Sequence, residues 1–326
     1  MTIIPKGGIP SDGLPGKEVP GKGYLQRAAD YNGGPACGKV LDCMHFLSLQ
    51  SHVAYGYVGN RAATFPLQRL GHEVWAVNTV EFSNHTGYGA WRGRVAPADQ
   101  VGDIVHGIEA LGLLKRCDAL LTGYVGDAAL ADVVLDTARR VREANPRAVW
   151  CCDPVLGDVD TGLYVRPGID AFFRERAIPA CDLVTPNHFE LEHLTGRTVA
   201  TLDDALAAAR MLLAGPKLAL ITSLRRTDAP AEQVEMLAVG REAAWRIATP
   251  LIGFDVAPNG TGDAVAALFS AHWIESGDVA FALGKAASSI FAVLEATRAA
   301  GERELQLVAA QDRLVAPPRR FVAEAL

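Results

Sequence analysis

The chain has 326 residues, 49% hydrophobic and 21% charged, with a formal net charge of −6. This is ordinary soluble globular composition, and acids and bases are interspersed, so neither a nucleic-acid nor an anionic-membrane partner is expected. No uninterrupted apolar stretch approaches the ~20 residues of a membrane span, so none is expected there either.

Residues 1–43 hold nine glycines and five prolines, which punctuate and loosen backbone. They contain no apolar core suited to a signal peptide. We read them as a flexible tail, either a genuine extension or the product of a start codon assigned too early. Met44 opens the first convincing strand, and a single domain is expected over 44–326.

From there, apolar runs of strand length alternate with helical patterns. The strands are expected at 44–50, 73–82, 118–125, 148–155, 181–187 and 218–223. The helices are expected near 60–70, 98–113, 128–144, 168–177, 188–195 and 202–214. Such alternation predicts an α/β fold with a mostly parallel central sheet and helices on both faces. After Ser223 the rhythm changes: EMLAVG (235–240) and EAAWRIATPLI (242–252) predict a late antiparallel strand pair, followed by helices over 262–275 and 279–298. No repeat period is visible. The six cysteines form no C-x-x-C pair, and four sit in or beside apolar runs. They read as small buried hydrophobes in a reducing cytoplasm rather than as disulfides or zinc ligands.

In open sheets of this kind, ligands bind beyond the carboxyl ends of the strands. Six consecutive predicted strands end in polar residues: Gln50 to His52, Ser83 to Tyr88, Thr122 with Tyr124, Asp153 with Asp158, Thr185 with Asn187, and Thr222 with Ser223. Loop polarity alone explains one or two such ends; the full set predicts a single polar rim.

The familiar phosphate motifs G-x-x-x-x-G-K-[ST] and G-x-G-x-x-G are missing, as is H-E-x-x-H. What remains is NGTGD (259–263) leading into a helix. Backbone N–H groups in a glycine turn at a helix N-terminus form an anion site. A carboxylate in the same turn can take a proton from an attacking alcohol while the amides hold the transferring group. The competing reading, an Asp that merely caps the helix, carries about equal weight on this motif alone. Asp153 and Asp158 could hold Mg²⁺ together with phosphate oxygens and water; the alternative is a DP turn with Asp158 in solvent. Asn187 and Glu190 fit a capping box, so a structural role for Glu190 is at least as well supported as a metal role. His188, Glu192 and His193 lack the partners of a zinc site and read as surface residues.

Over 44–326 the chain resembles the pyridoxal kinases of the ribokinase-like superfamily. The matching segments are SLQSHVAYGYVGNRAATFPLQRLG (48–71), VNTVEFSNHTGYGAWRG (77–93), LTGYVGD (121–127), CDPVLGD (152–158), DLVTPNHFELEHLTG (182–196) and NGTGD (259–263). The first two are long and characteristic. The resemblance implies ATP-dependent phosphorylation of the 5′-hydroxymethyl group of pyridoxal and related B6 vitamers. Asp263 is implied as the general base, with Gly260, Thr261 and Gly262 as the amide cradle. Ser51, Thr86 and Gly87 match substrate positions, and Phe82 and Tyr124 would wall the pyridine ring. Asp153 and Asp158 match the metal and phosphate region. Thr185, Asn187, Glu190, Thr222 and Ser223 match nucleotide- and cation-side positions. Mg²⁺, a monovalent cation such as K⁺, a homodimer and a mobile cover over 158–165 are implied as well. Where some relatives carry a lysine, this chain reads ITSLRR (221–226). Two readings compete: a hydroxymethylpyrimidine kinase, which shares the fold and glycine turn, and a non-catalytic B6-vitamer-binding relative. A nicotinamide oxidoreductase lacks its first-strand glycine motif here.

Overall fold

Successive residues of a strand face opposite sides of its sheet, and that alternation builds two cores here. In β1 (His45–Val53), Leu47 and Leu49 enter one buried cluster while Phe46 enters the other. Leu120 and Leu121 of β4 (Ala119–Thr122) divide the same way, as do Ile221 and Leu220 of β9 (Leu218–Leu224). Strands buried on both faces need helices above and below. α2 (Ala98–Ala110), α3 (Ala131–Ala144), α6 (His188–Thr195) and α7 (Leu202–Leu212) cover the first face. α1 (Asn60–Arg69), α8 (Thr261–Ser276), α9 (Val279–Ala300) and α10 (Gln311–Val315) cover the second.

The computed structural model describes residues 43–326; the tail expected over 1–43 lies, but for Cys43, outside them. The remaining strands are β2 (Glu73–Phe82), β3 (Gly93–Val95), β5 (Val149–Cys152), the hairpin pair β6 (Gly157–Asp158) and β7 (Gly162–Leu163), β8 (Leu183–Val184), β10 (Gln233–Gly240), β11 (Ala244–Pro250) and β12 (Glu324–Ala325). Ten of them form one sheet in the order β12-β11-β10-β9-β8-β5-β4-β1-β2-β3. Its centre, from β2 to β9, is parallel, and β3, β10, β11 and β12 run antiparallel to their neighbours. The chain starts in mid-sheet at β1, goes outward to β2, then returns to the other side of β1 at β4. That reversal opens the crevice in which an open α/β sheet takes its ligand.

Several boundaries differ from the sequence reading. β1 runs on to Val53 through a register shift at Gln50/Ser51, so Ser51 lies inside the strand rather than after it. The strands expected at 148–155 and 181–187 are shorter, because Pro154 and Pro186 cannot donate to a ladder. The helix expected over 168–177 is broken into α4 (Ile169–Phe172), a π-type turn at Phe173–Ala177 and α5 (Ile178–Ala180). α9, with 22 residues and a mean hydropathy of 1.5, is long and apolar enough to cross a membrane, yet 56% of that window is buried inside the fold. It packs on α8 and β11 as a core helix.

Candidate active site

The NGTGD turn enters α8 through Gly260, whose φ of 84° is the left-handed region that glycine tolerates. A Cβ at Gly260 would sit 1.8 Å from the Tyr57 carbonyl oxygen, so this position has no room for a side chain. The N-cap is Gly260, which has no side chain to accept from the first amides of the helix. Asp263 lies in the first turn, beyond the cap, and the capping role weighed from the sequence is not the one it plays. Burial raises its carboxyl above the usual range, opposed by amide hydrogen bonds from Gly59 and from its own backbone.

This turn borders a cavity of about 640 Å³ that runs along the carboxyl ends of the central strands. One half is acidic and hydroxylic. Asp153 is buried and accepts a hydrogen bond from the Thr185 hydroxyl at 3.0 Å. Its carboxyl is pushed well up by burial, and further by Glu190 and Asp263. Glu190 accepts from the amides of Leu156 and Asn187, both at 2.8 Å, while the Asn187 side chain accepts from the Glu190 amide, completing the expected capping box. Burial raises Glu190 to about 8 even though those amides pull the other way. Thr222 is buried beside Asn187, and Ser223 has a φ of 52°, the one left-handed non-glycine among the described residues.

The other half is aromatic. Phe82, at the end of β2, meets Trp91 with ring centroids 4.1 Å apart. Tyr124 faces the same space from beyond β4, Ser51 from β1 and Thr86 from the turn Thr86–Tyr88. Fifteen of the sixteen site residues singled out from the sequence therefore line one cavity, with Asp158 at its exposed hairpin rim. The exception is Gly87. Its amide donates to His85 Nδ1 at 3.2 Å and its carbonyl accepts from Arg303 at 2.8 Å, so it shapes the loop instead of facing the cavity. Asp158 spends one oxygen on the Val159 amide at 2.6 Å.

Sequence reasoning did not single out Trp91, Tyr164 and Arg166, and included His85 only within the polar stretch Ser83 to Tyr88; all four also line the cavity. Trp91 could have been noticed as a large aromatic in an otherwise polar loop. Tyr164 follows the β6–β7 hairpin, the segment expected as a mobile cover, and its amide donates to the Leu156 carbonyl at 3.1 Å. His188 pairs with Glu192 at 3.7 Å and His193 with Asp170 at 3.8 Å, and neither lines the cavity. Cys117, Cys151, Cys152 and Cys181 are free and buried, as their apolar settings implied.

A divalent ion can be tested against this donor set. Among the described residues no three His, Cys, Asp or Glu side chains form a ready cage. Glu190 and Asp263 nevertheless stand close enough to Asp153 to raise its carboxyl beyond what burial alone does. Such a pocket of excess negative charge fits an ion that brings phosphate oxygens and waters for its remaining positions.

Comparison with known proteins adds to this geometry. The phosphomethylpyrimidine kinase family profile matches residues 104–307. The chain is 58% identical over 280 residues to the pyridoxal kinase PdxY of Rubrobacter xylanophilus, covering 85% of this chain and 96% of that one. It is 52% identical over 285 residues to the pyridoxal kinase PdxY of Deinococcus radiodurans, covering 86% and 96%. Among solved structures, pyridoxal kinase from Leishmania donovani in complex with ADP and ginkgotoxin superposes with a TM-score of 0.81 at 33% identity, covering 86% of this chain and 99% of that one. The same enzyme with ADP and pyridoxamine gives 0.80, also at 33% identity with the same coverage.

Proposed function

Because the chain belongs to the pyridoxal kinase family, of ribokinase-like fold, we propose that it transfers the γ-phosphoryl group of ATP to the 5′-hydroxymethyl oxygen of pyridoxal and related B6 vitamers. The product is pyridoxal 5′-phosphate and the role is B6 salvage. One observation carries this reading: Asp263 stands beside uncapped helix amides at the junction of the aromatic and acidic halves of one cavity.

In this reading the pyridine ring lies against Phe82, Trp91 and Tyr124, and Ser51 and Thr86 hydrogen-bond its substituents. Asp263 accepts the proton of the attacking hydroxyl as the new O–P bond forms and the bond to the leaving ADP breaks. Its raised carboxyl is a better proton acceptor than a solvated aspartate. The amides of Gly260, Thr261 and Gly262 hold the transferring oxygens, where fixed dipoles at a helix start favour negative charge. Asp153, Glu190 and Asp158 at the rim are the residues that would hold Mg²⁺. That ion would neutralise phosphate charge. Thr185, Asn187, Thr222 and Ser223 contact the nucleotide, with a monovalent cation such as K⁺ beside their oxygens. We further take the enzyme to be a cytoplasmic homodimer.

The test is a coupled ADP-release assay with Mg²⁺ and four acceptors: pyridoxal, pyridoxine, pyridoxamine and hydroxymethylpyrimidine. Turnover of the B6 vitamers is expected. Turnover of hydroxymethylpyrimidine alone would replace this reading with the hydroxymethylpyrimidine kinase that competes with it in the sequence.

A further inference from the structure

The segment after α9 reads GERELQ (301–306), and the chemistry above leaves it without a role. Glu304 is only 8% exposed. Its carboxylate accepts from the Tyr57 amide at 3.0 Å and from the Tyr88 hydroxyl at 2.6 Å. A Cβ at Gly56 would lie 2.4 Å from Glu304 Oε2, so that loop closes tightly over the acid. Arg303 lies 3.8 Å from the centroid of the Tyr88 ring and donates to the Gly87 carbonyl at 2.8 Å. One dipeptide thus grips two loops remote from it in sequence.

Both loops face the cavity. Residues 54–59 place Val58 in its wall, the Tyr57 carbonyl against Gly260 and the Gly59 amide on Asp263. Residues 83–92 bring His85, Thr86 and Trp91. A carboxylate with two donors on it is a strong, directional tie, and a residue that fixes substrate-contacting loops cuts the ordering cost of binding.

We propose that Arg303 and Glu304 are positioning residues, a clamp that sets the spacing between the acceptor-binding loop and the Asp263 turn and so governs affinity for the vitamer. This rests on the pyridoxal kinase reading. The side-chain hydrogen bonds of Arg303 and Glu304 run to the two loops and to no residue of α8 or of the nucleotide-side strand ends, so the larger effect falls on the vitamer.

Steady-state kinetics with pyridoxal and ATP varied separately test it. Glu304→Gln loses one of the two acceptor oxygens and is expected to raise KM for pyridoxal about tenfold, with KM for ATP within about twofold. Tyr88→Phe, at a half-exposed position that tolerates the change in folding, is expected to shift the same constant by less. The double variant is expected to fall short of the product of the two, since both remove one bond. Hydrogen exchange over 83–92 is expected to quicken in each. A lowered melting temperature with both KM values unchanged would overturn the clamp and leave a scaffold contact. Equal rises in both KM values would overturn it too. An inactive wild type would instead break the kinase reading, and the proposal with it.

Discussion

The two halves of the cavity are assembled in opposite ways. In the acidic half the partners are near in sequence or on adjoining strands: Asn187 caps Glu190, Thr185 donates to Asp153 across neighbouring β5 and β8, and Gly260 turns directly into α8. In the aromatic half the ties are long: Tyr57 and Tyr88 both meet Glu304, 247 and 216 residues away. The electrostatics differ as well. In the acidic half burial raises the carboxyls, and Glu190 and Asp263 raise Asp153 further, a cost that a cation and phosphate would relieve. The loops behind the aromatic half are tied by hydrogen bonds within the protein, from the Gly87 amide to His85, the Tyr88 hydroxyl to Glu304 and Arg303 to the Gly87 carbonyl. One half is held in a state that favours its charged ligand; the other is a preformed wall.

Four measurements would break or sharpen that contrast. The largest effect is expected for Asp263→Asn, which should lower kcat by about 10²–10⁴-fold, the usual contribution of a general base, while ATP still binds. Near-normal turnover would strip the acidic half of its reacting group. Gly260→Ala comes next, because its methyl would meet the Tyr57 carbonyl and a left-handed backbone costs an alanine roughly 1–2 kcal/mol. Calorimetry should show a lower Tm, and kinetics a loss of about 10–100-fold in kcat/KM for both substrates, the scale of a small misplacement of catalytic groups. Trp91→Ala should raise KM for pyridoxal about tenfold and spare ATP, since it removes a ring pair and its buried area. A matching rise for ATP would show that the halves are not separate.

The smallest effect concerns pH. Glu190 titrates at about 8 in the folded protein against 4.5 ordinarily. Between those values the folded chain keeps a proton that the unfolded chain has released, so stability falls as pH rises. The Tm of the nucleotide-free protein should therefore decline by a few degrees from about pH 5 to pH 8. Glu190→Gln, or saturating MgATP, should flatten the slope; a slope unchanged by either would remove Glu190 as its source.

The same contrast explains what could be read from the sequence. The glycine turn, the capping box and the polar strand ends are local chemistry, and the order of residues states them directly. The parallel centre and late antiparallel pair follow from runs long enough to show a period. Trp91 belongs to no periodic element, so nothing in its spacing marks it as a cavity wall. The ties to Glu304 depend on where the chain after α9 returns, which no window of sequence contains. β3 and β12, of three and two residues, are too short to leave a pattern. Asp158 was grouped with Asp153 by proximity, but the hairpin turns it toward solvent while Asp153 stays inside.

Ser223 has one more consequence. Its left-handed backbone stores roughly 1–2 kcal/mol that a glycine would release, less what glycine loses as chain freedom. Anyone selecting heat-tolerant versions of this enzyme should meet that position early. If Ser223 holds the nucleotide as proposed, the gain there would be taken from that grip, and durability and affinity would trade against each other at a single hydroxyl.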